Sequence, residues 1–368
     1  MRLRIISNPK LEFFPCFVII ISLMDLDLLK KLCEAPGLPG HEGPVKEIIW
    51  ERFAEFTGEI KEDALGNIIA HIPGKGPRLV IDAHTDEVGF MVSHIDAKGF
   101  LHVIPLGGMD PRVFYAQRIT VWGRKPVTGT VAAIPPHVSR NANNKEAPEV
   151  EDCVVDLGLS AEKVKDLVRV GDVASYCYPF EETEDALISK AIDDRVGLFV
   201  MVEALRKKPE LSCDLYLTAS CQEEVGLRGA HVIVPAIEPD FAIALEGTVA
   251  MDVPGVSEHK TLANTGKGPE VRLSDRFLVA HRPFSDFIMK TAESKNIPYQ
   301  ITVKKAGSTN ATAMQVTGKG TRAASVSVPV RYLHSPSCLA YKSDIGHTIE
   351  LIHAVIENIG DFGKDSPR

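Results

Sequence analysis

The stretch Leu79-Val80-Ile81-Asp82-Ala83-His84-Thr85-Asp86-Glu87-Val88-Gly89 runs an apolar strand straight into a dense group of side chains that can bind a metal ion or move a proton. Ligand sites in open α/β sheets lie at the carboxyl ends of strands, and an apolar run followed by polar residues has that order. In an extended segment residues two apart share a side. His84 and Asp86 can therefore work together, one as a ligand and the other fixing the imidazole tautomer and raising its basicity. A single His-x-Asp is also how an ordinary surface pair looks, so its meaning depends on what ends the other strands.

Four more places carry similar groups. In Ser189-Lys190-Ala191-Ile192-Asp193-Asp194-Arg195-Val196-Gly197 two carboxylates precede a helix whose apolar face includes Val196, Phe199 and Val200. One aspartate can cap that helix, which leaves the other without a role. The strand Leu215 to Ser220 ends in Cys221-Gln222-Glu223-Glu224-Val225-Gly226. Neighbouring residues of an extended chain point in different directions, so one glutamate can bind a metal while the other reaches a water. The strand Phe241 to Leu245 delivers Glu246 at its end, and the strand Ala324 to Val328 leads into Arg331-Tyr332-Leu333-His334-Ser335-Pro336. Each place alone has a plain structural reading as a cap, a solvated acid or a packed histidine. Together they supply two imidazoles and several carboxylates, a mixed nitrogen and oxygen set that suits Zn, Co or Mn. The spacing does not choose between Asp193 and Asp194, or between Glu223 and Glu224.

Around these places the texture of the chain changes twice. From Asp25 to Gly89 helical patterns lead to an apolar strand at Arg78 to Asp82. From about Phe90 to Glu182 short alternating segments punctuated by Gly and Pro take over, including Phe90 to Ile95, Leu101 to Ile104, Arg118 to Trp122 and Thr128 to Ala133. Asp96-Ala97-Lys98-Gly99 has the composition of a hairpin connection. From Ala186 onward strands and helices alternate again. The pattern predicts an α/β fold, a mostly parallel sheet covered by helices, with a β-rich module inserted at 90–182. The α/β domain is then discontinuous, 24–89 and 183–360, followed by a tail at 361–368. The loop Ile134 to Glu151 is expected to be mobile. At 368 residues the chain is long enough for two domains, or for one large domain with an insertion.

The formal net charge of −8, with no run of like charges and no Lys/Arg stripe, argues against nucleic acid as a partner. Seven scattered cysteines, odd in number and never in a Cys-x-x-Cys arrangement, read as reduced core thiols and point to a cytoplasmic protein. Arg2, Arg4 and Lys10 precede an apolar run from Phe13 to Met24 that superficially resembles a secretory signal. That run is broken by Pro15 and Ser22, lacks a small-x-small cleavage site, and is shorter than the ~20 residues that span a bilayer. No membrane partner is expected. Residues 1–23 are read as an extension ahead of a start at Met24, where a helix begins with Leu26, Leu29, Leu32 and Cys33 at helical spacing.

The segments Ala83-His84-Thr85-Asp86-Glu87-Val88-Gly89, Asp193-Asp194-Arg195-Val196-Gly197, Gln222-Glu223-Glu224-Val225-Gly226-Leu227-Arg228-Gly229-Ala230 and Arg331-Tyr332-Leu333-His334-Ser335-Pro336, in this order, resemble those of the glutamyl and deblocking aminopeptidase family. Its members often form tetrahedral dodecamers, and some have been described as endoglucanases. The resemblance covers nearly everything after Met24. It implies removal of N-terminal residues from peptides with two divalent metal ions per subunit, Zn or Co foremost and Mn as a third choice. By motif position Asp193 would bridge both ions, His84 and Glu246 would complete one site, and Glu224 and His334 the other. Glu223 would be the general base and Asp86 would orient His84. The module at 90–182 would be the family's dimerisation domain, and the protein a homo-oligomer.

Two positions depart from the family pattern. Glu246 stands where many relatives carry Asp, which implies retained metal binding with changed geometry. Gly307-Ser308-Thr309-Asn310-Ala311 stands where a common form is Gly-Gly-Thr-Asp, so an acidic side chain near the substrate is replaced by an amide. Other functions fit the same residues in part. A metal-dependent deacylase or carboxypeptidase would use the same chemistry with a different pocket. A glycoside hydrolase would use the paired acids but leave His84 and His334 idle. An inactive metal-binding homologue would keep the ligands alone.

Overall fold

The computed structural model describes residues 24–132, 149–257 and 262–365; the expectations for residues 1–23 and for most of the loop 134–151 fall outside these. Its centre is four strands whose residues are buried on both faces, which is what a sheet covered by helices on each side requires. Arg78–His84 pairs in parallel with Asp214–Ser220 on one side and with Phe241–Val249 on the other, and Phe241–Val249 pairs in parallel with Arg322–Arg331. Antiparallel strands extend these margins. Ile68–Ile72 lies against Asp214–Ser220, and Cys338–Tyr341 lies against Arg322–Arg331 and carries Ala186–Ser189 beyond it. Glu270–Ser274 branches from Arg322–Arg331 and pairs in parallel with Gln300–Val303. With Glu59–Glu62 against Ile68–Ile72 and Glu181–Glu182 against Ala186–Ser189 at the margins, the described residues form an 11-stranded sheet.

Period-two alternation divides each central strand between two cores. Leu79, Ile81, Phe241, Ile243 and Leu245 face one side, where they pack with Val196, Phe199 and Val200 of the helix Ile192–Arg206 and with Ile349, Ile352 and Val355 of the final helix. Val80, Ala242 and Ala244 face the other, against Ile233 and Val234 of the helix Arg228–Ile237 and Met314 of the helix Asn310–Val316. The helix expected after Met24 is Leu26–Glu34. Asp25 caps it by accepting the Leu28 N–H at 3.1 Å, and it buries Leu28, Leu29, Leu32 and Cys33. The last helix, Lys342–Asp365, runs past residue 360, where a tail was expected. Among the described residues no helix is long and apolar enough to cross a membrane.

Between Gly89 and Tyr176 the chain forms a closed six-stranded barrel. Gly89–Ile95, Leu101–Leu106, Arg118–Trp122 and Pro126–Ala132 correspond to the alternating segments read from the sequence. Asp96 Oδ1 accepts the Lys98 and Phe100 N–H groups at the first hairpin, and Gly99 there takes a φ of +92°. The short strands Val154–Asp156 and Val173–Tyr176 were not expected. They complete the ring, the latter pairing with Gly89–Ile95 and Arg118–Trp122, so that no barrel edge is left open. Inside it Phe114 packs at a tilt against Phe90 and Tyr176 meets Phe90 edge to face, with ring centroids 4.3 and 5.5 Å from Phe90.

Three strands are longer than expected. Arg78–His84 continues two residues past Asp82, Arg322–Arg331 extends beyond both ends of 324–328, and Phe241–Val249 runs on past Leu245. Glu246 therefore sits within its strand rather than at its end, because parallel pairing with Arg322–Arg331 persists to Val249.

Candidate metal centre

His84 is the last residue of its strand, and its orientation is fixed from both sides. Its N–H donates to Asp194 Oδ2 at 3.1 Å, and its Nδ1 lies 3.0 Å from the Asp86 carbonyl oxygen and 3.4 Å from Asp86 Oδ1. That leaves Nε2 facing three carboxylates, with Asp193 Oδ1 at 3.5 Å, Glu246 Oε2 at 3.6 Å and Glu223 Oε2 at 4.0 Å. His334 lies in the turn after Arg322–Arg331, where Tyr332 and His334 take φ of 57° and 59°, a left-handed conformation uncommon for such side chains. Its Nδ1 meets the Gly108 carbonyl at 2.6 Å, and its Nε2 faces Glu224 Oε1 at 3.3 Å and Asp193 Oδ2 at 3.4 Å.

The two aspartates left undecided by the sequence have different environments. Asp194 accepts the His84 N–H on one oxygen and the Gly197 N–H on the other at 2.9 Å, the work of a helix cap. Asp193 turns one oxygen to each imidazole and also accepts the Gly247 N–H at 3.0 Å. The two glutamates separate as well. The Glu224 side chain is 5% exposed and lies against His334, whereas that of Glu223 is 12% exposed and stands further from His84. Both are held by Asp86, whose Oδ1 accepts the Glu223 N–H at 2.9 Å and whose Oδ2 accepts the Glu224 N–H at 3.0 Å.

Three groups among the described residues could hold a cation, one of them His84 with Glu223 and Glu224. The other two share Asp193 and form a pair of candidate triads, His84 with Asp193 and Glu246, and His334 with Asp193 and Glu224. Within each triad the imidazole-to-carboxylate distances of 3.3–3.6 Å exceed those of a direct charge-assisted hydrogen bond. Two atoms each ~2.0–2.1 Å from a tetrahedral ion sit roughly 3.4 Å apart, so the spacing fits a shared cation. Glu224 Oε1 is buried and makes no hydrogen bond among the described residues, as an atom reserved for such an ion would.

The electrostatics agree with this. Burial raises Glu223 to about 8 and Glu224 to about 7, and it holds Glu246 and Asp194 well above the carboxylate range, reinforced by neighbouring acids. Burial also opposes ionisation of Asp193, but hydrogen bonds from His334 and His84 outweigh it and hold that carboxyl low. Burial depresses His334, yet Glu224 and Asp193 raise it to about 9, and His84 is raised likewise by Asp193 and Asp86. Protons relieve the repulsion of a crowded acidic centre, and a divalent cation does the same by displacing them.

Further residues support the centre without local signals in the sequence. Lys190 Nζ binds both oxygens of Glu87 at 2.8 Å, and Arg195 reaches Glu87 at 3.4 Å and also donates to the Thr85 carbonyl. Tyr176, from the barrel, has a buried hydroxyl with no hydrogen-bond partner among the described residues and helps line a cavity of about 10 Å³ beside Lys190, Asp193, His334 and Cys338, room for about one water. Asp82 lies within the opening stretch, but its partners are Thr218, Ser220 and Asn310, far away in sequence.

Comparison with known proteins agrees with the residue pattern. The chain is 35% identical over 344 residues to the lysyl aminopeptidase of Pyrococcus furiosus, covering 92% of this chain and 98% of that one. An aminopeptidase structure from Desulfurococcus kamchatkensis superposes with a TM-score of 0.88 at 34% identity, covering 95% of this chain and 97% of the other. The TET1 peptidase of Pyrococcus horikoshii, described as able to assemble into a tetrahedron or a large octahedral shell, superposes with a TM-score of 0.81 at 29% identity, covering 90% and 99%. The profile of the M42 glutamyl aminopeptidase family matches residues 66–351. The chain belongs to that family of metal-dependent aminopeptidases.

Proposed function

We propose that this aminopeptidase works through two divalent ions that share Asp193, one completed by His84 and Glu246 and the other by Glu224 and His334. The observation that carries the reading is the single Asp193 carboxylate with its two oxygens aimed at different imidazoles, 3.5 Å from His84 and 3.4 Å from His334. Ions held there would supply Lewis acidity to the scissile carbonyl and to the attacking water. Zn or Co suits this donor set best, with Mn as a third choice.

Glu223 is the general base in this reading. Its carboxylate is the more exposed of the adjacent pair, while its backbone is pinned by Asp86. It takes a proton from the attacking water and returns it to the departing amine, work worth ~100 to 10,000-fold in rate. Asp86 holds the Glu223 and Glu224 backbones in register and its carbonyl fixes the His84 ring. The substrates are peptides with a free N-terminus, shortened one residue at a time.

The barrel, taken with its flanks as the module 90–182, serves as the dimerisation domain of a homo-oligomer, and the assembly is a dodecamer of the kind named for TET relatives. The cysteines among the described residues are free thiols, consistent with a cytoplasmic protein.

The deciding experiment strips the enzyme with chelator, resupplies Zn, Co or Mn, and follows amino-acid release from short peptides. Stepwise release from free N-termini, restored by metal, is the expected result. Release from the carboxyl end, or cleavage only of N-acylated substrates, would replace this reading with a carboxypeptidase or a deacylase.

A further inference from the structure

Beneath the metal centre lies a second layer of buried polar groups that neither ligand triad uses. Strand register defines it. Asp82 pairs with Thr218 on one side and Ala244 on the other, while His84 pairs with Ser220 and lies in the row of Glu246. Asp82 and Asn310 are 0% and 1% exposed. Asp82 Oδ1 accepts from Thr218 Oγ1 at 2.5 Å, and its Oδ2 accepts from Ser220 Oγ at 3.0 Å and from Asn310 Nδ2 at 2.8 Å. The same Asn310 amide donates to Ser220 Oγ at 2.8 Å, and the Asn310 backbone N–H donates to Glu246 Oε1 at 3.1 Å.

Asn310 thus ties the two rows together. Its side chain grips the lower row and its main chain reaches the upper one, at the first residue of the helix Asn310–Val316. We infer that Asp82 and Asn310 are a matched pair of positioning residues that set the Glu246 carboxylate in place, and that the acid at 82 requires a neutral amide at 310. An aspartate at 310 would put a second carboxylate at hydrogen-bonding distance from Asp82, with both out of water, where like charges repel strongly. The amide at this position therefore marks no loss of function. It is the donor that this strand's acid needs.

This rests on the reading of Glu246 as a metal ligand, so the test includes Glu246 itself. Binding of Zn to chelator-stripped protein is measured calorimetrically for the native chain and for E246Q, N310A, N310D and the exchanged pair D82N/N310D. E246Q should lose one equivalent of Zn. N310D should weaken one equivalent by roughly 10–100-fold, the usual effect of losing an outer hydrogen-bond partner. The exchanged pair, which restores one acid and one amide, should recover most of that loss, a response that simple damage to the fold would not give. N310A removes the clip without adding charge or bulk, and should also weaken that equivalent if N310D fails to fold. Native-like Zn affinity in both N310A and N310D, with E246Q still losing an equivalent, would overturn the positioning role alone. Two full equivalents in E246Q would overturn the ligand assignment and this inference with it.

Discussion

A β-carbon added to Gly197 would sit 2.4 Å from Asp194 Oδ1, the oxygen that accepts the Gly197 N–H. The other oxygen of Asp194 holds the His84 backbone, so the start of this helix and the first imidazole share one carboxylate. Gly197→Ala should displace Asp194 and carry His84 with it. Overpacking of this kind costs about 1–3 kcal/mol. Denaturant unfolding should show that loss, together with weaker metal binding.

In the proposed reading the sequence neighbours Glu223 and Glu224 have separate tasks, so their amide variants should fail in different ways. E223Q should keep both metal equivalents while turnover falls by ~100 to 10,000-fold. E224Q should lose metal, since it removes a charge facing His334. Metal analysis alongside peptide hydrolysis separates the two, and an active E223Q would remove it from the role of base.

Lys190 and Glu87 form a buried pair, with side chains 5% and 3% exposed. Lys190→Met would leave the carboxylate with the Gly37 N–H at 3.2 Å and with Arg195, at 3.4 Å, as its remaining cation among the described residues. Breaking one side of such a pair typically costs about 3–5 kcal/mol. Thermal unfolding of K190M should show a loss of that size, and K190M/E87Q should recover part of it.

His71 lies between Asp214 Oδ1 at 2.7 Å and Glu59 Oε2 at 2.8 Å and stacks on Tyr216. Partial burial lowers its pKa, but these two carboxylates outweigh that and raise it above its ordinary value. A histidine whose folded pKa is raised stabilises the fold fully below the unfolded value of about 6.5, and loses that contribution as pH rises through the folded pKa. The stability gap between the native chain and H71Q should therefore be widest near pH ~6 and close in alkaline solution. A gap that widens with pH would refute the charged pairing.

Chelation should lower thermal stability as well as activity, because an ion that binds only the folded chain stabilises it by mass action. At ~100 times its Kd that contribution is about 2.7 kcal/mol. Calorimetric scans at several Zn concentrations should show a midpoint that climbs with metal.

Much of the site was legible because its groups follow apolar strands. His84, Glu223 and Glu224 leave the ends of strands whose hydrophobic runs identify them. Asp193 against Asp194 could not be read, because both lie at the start of the same helix and only the direction of each side chain separates cap from candidate ligand. The pairing of Asp82 with Asn310, and the place of Tyr176 beside the site, left no local signal for a different reason. Their partners are remote in sequence, and pairing across strands leaves no periodic trace within any one segment. Val154–Asp156 was too short to show alternation, so the barrel read as a β-rich region without its closure.

That closure bears on how the molecule assembles in time. The chain enters the barrel at Gly89 and leaves it at Tyr176, and pairing of Phe90 with Ala174 brings the two ends of that long excursion side by side. Loop-closure entropy grows with the length of free chain between contacts, and parallel pairing of Arg78–His84 with Asp214–Ser220 is distant in sequence. Two of the barrel's pairs are local hairpins, and once Val173–Tyr176 closes the ring the effective loop is shortened before the sheet zips together. Barrel amides should gain protection first in pulse-labelled refolding, and the half-sites around Asp193 should meet only once that tether is drawn in.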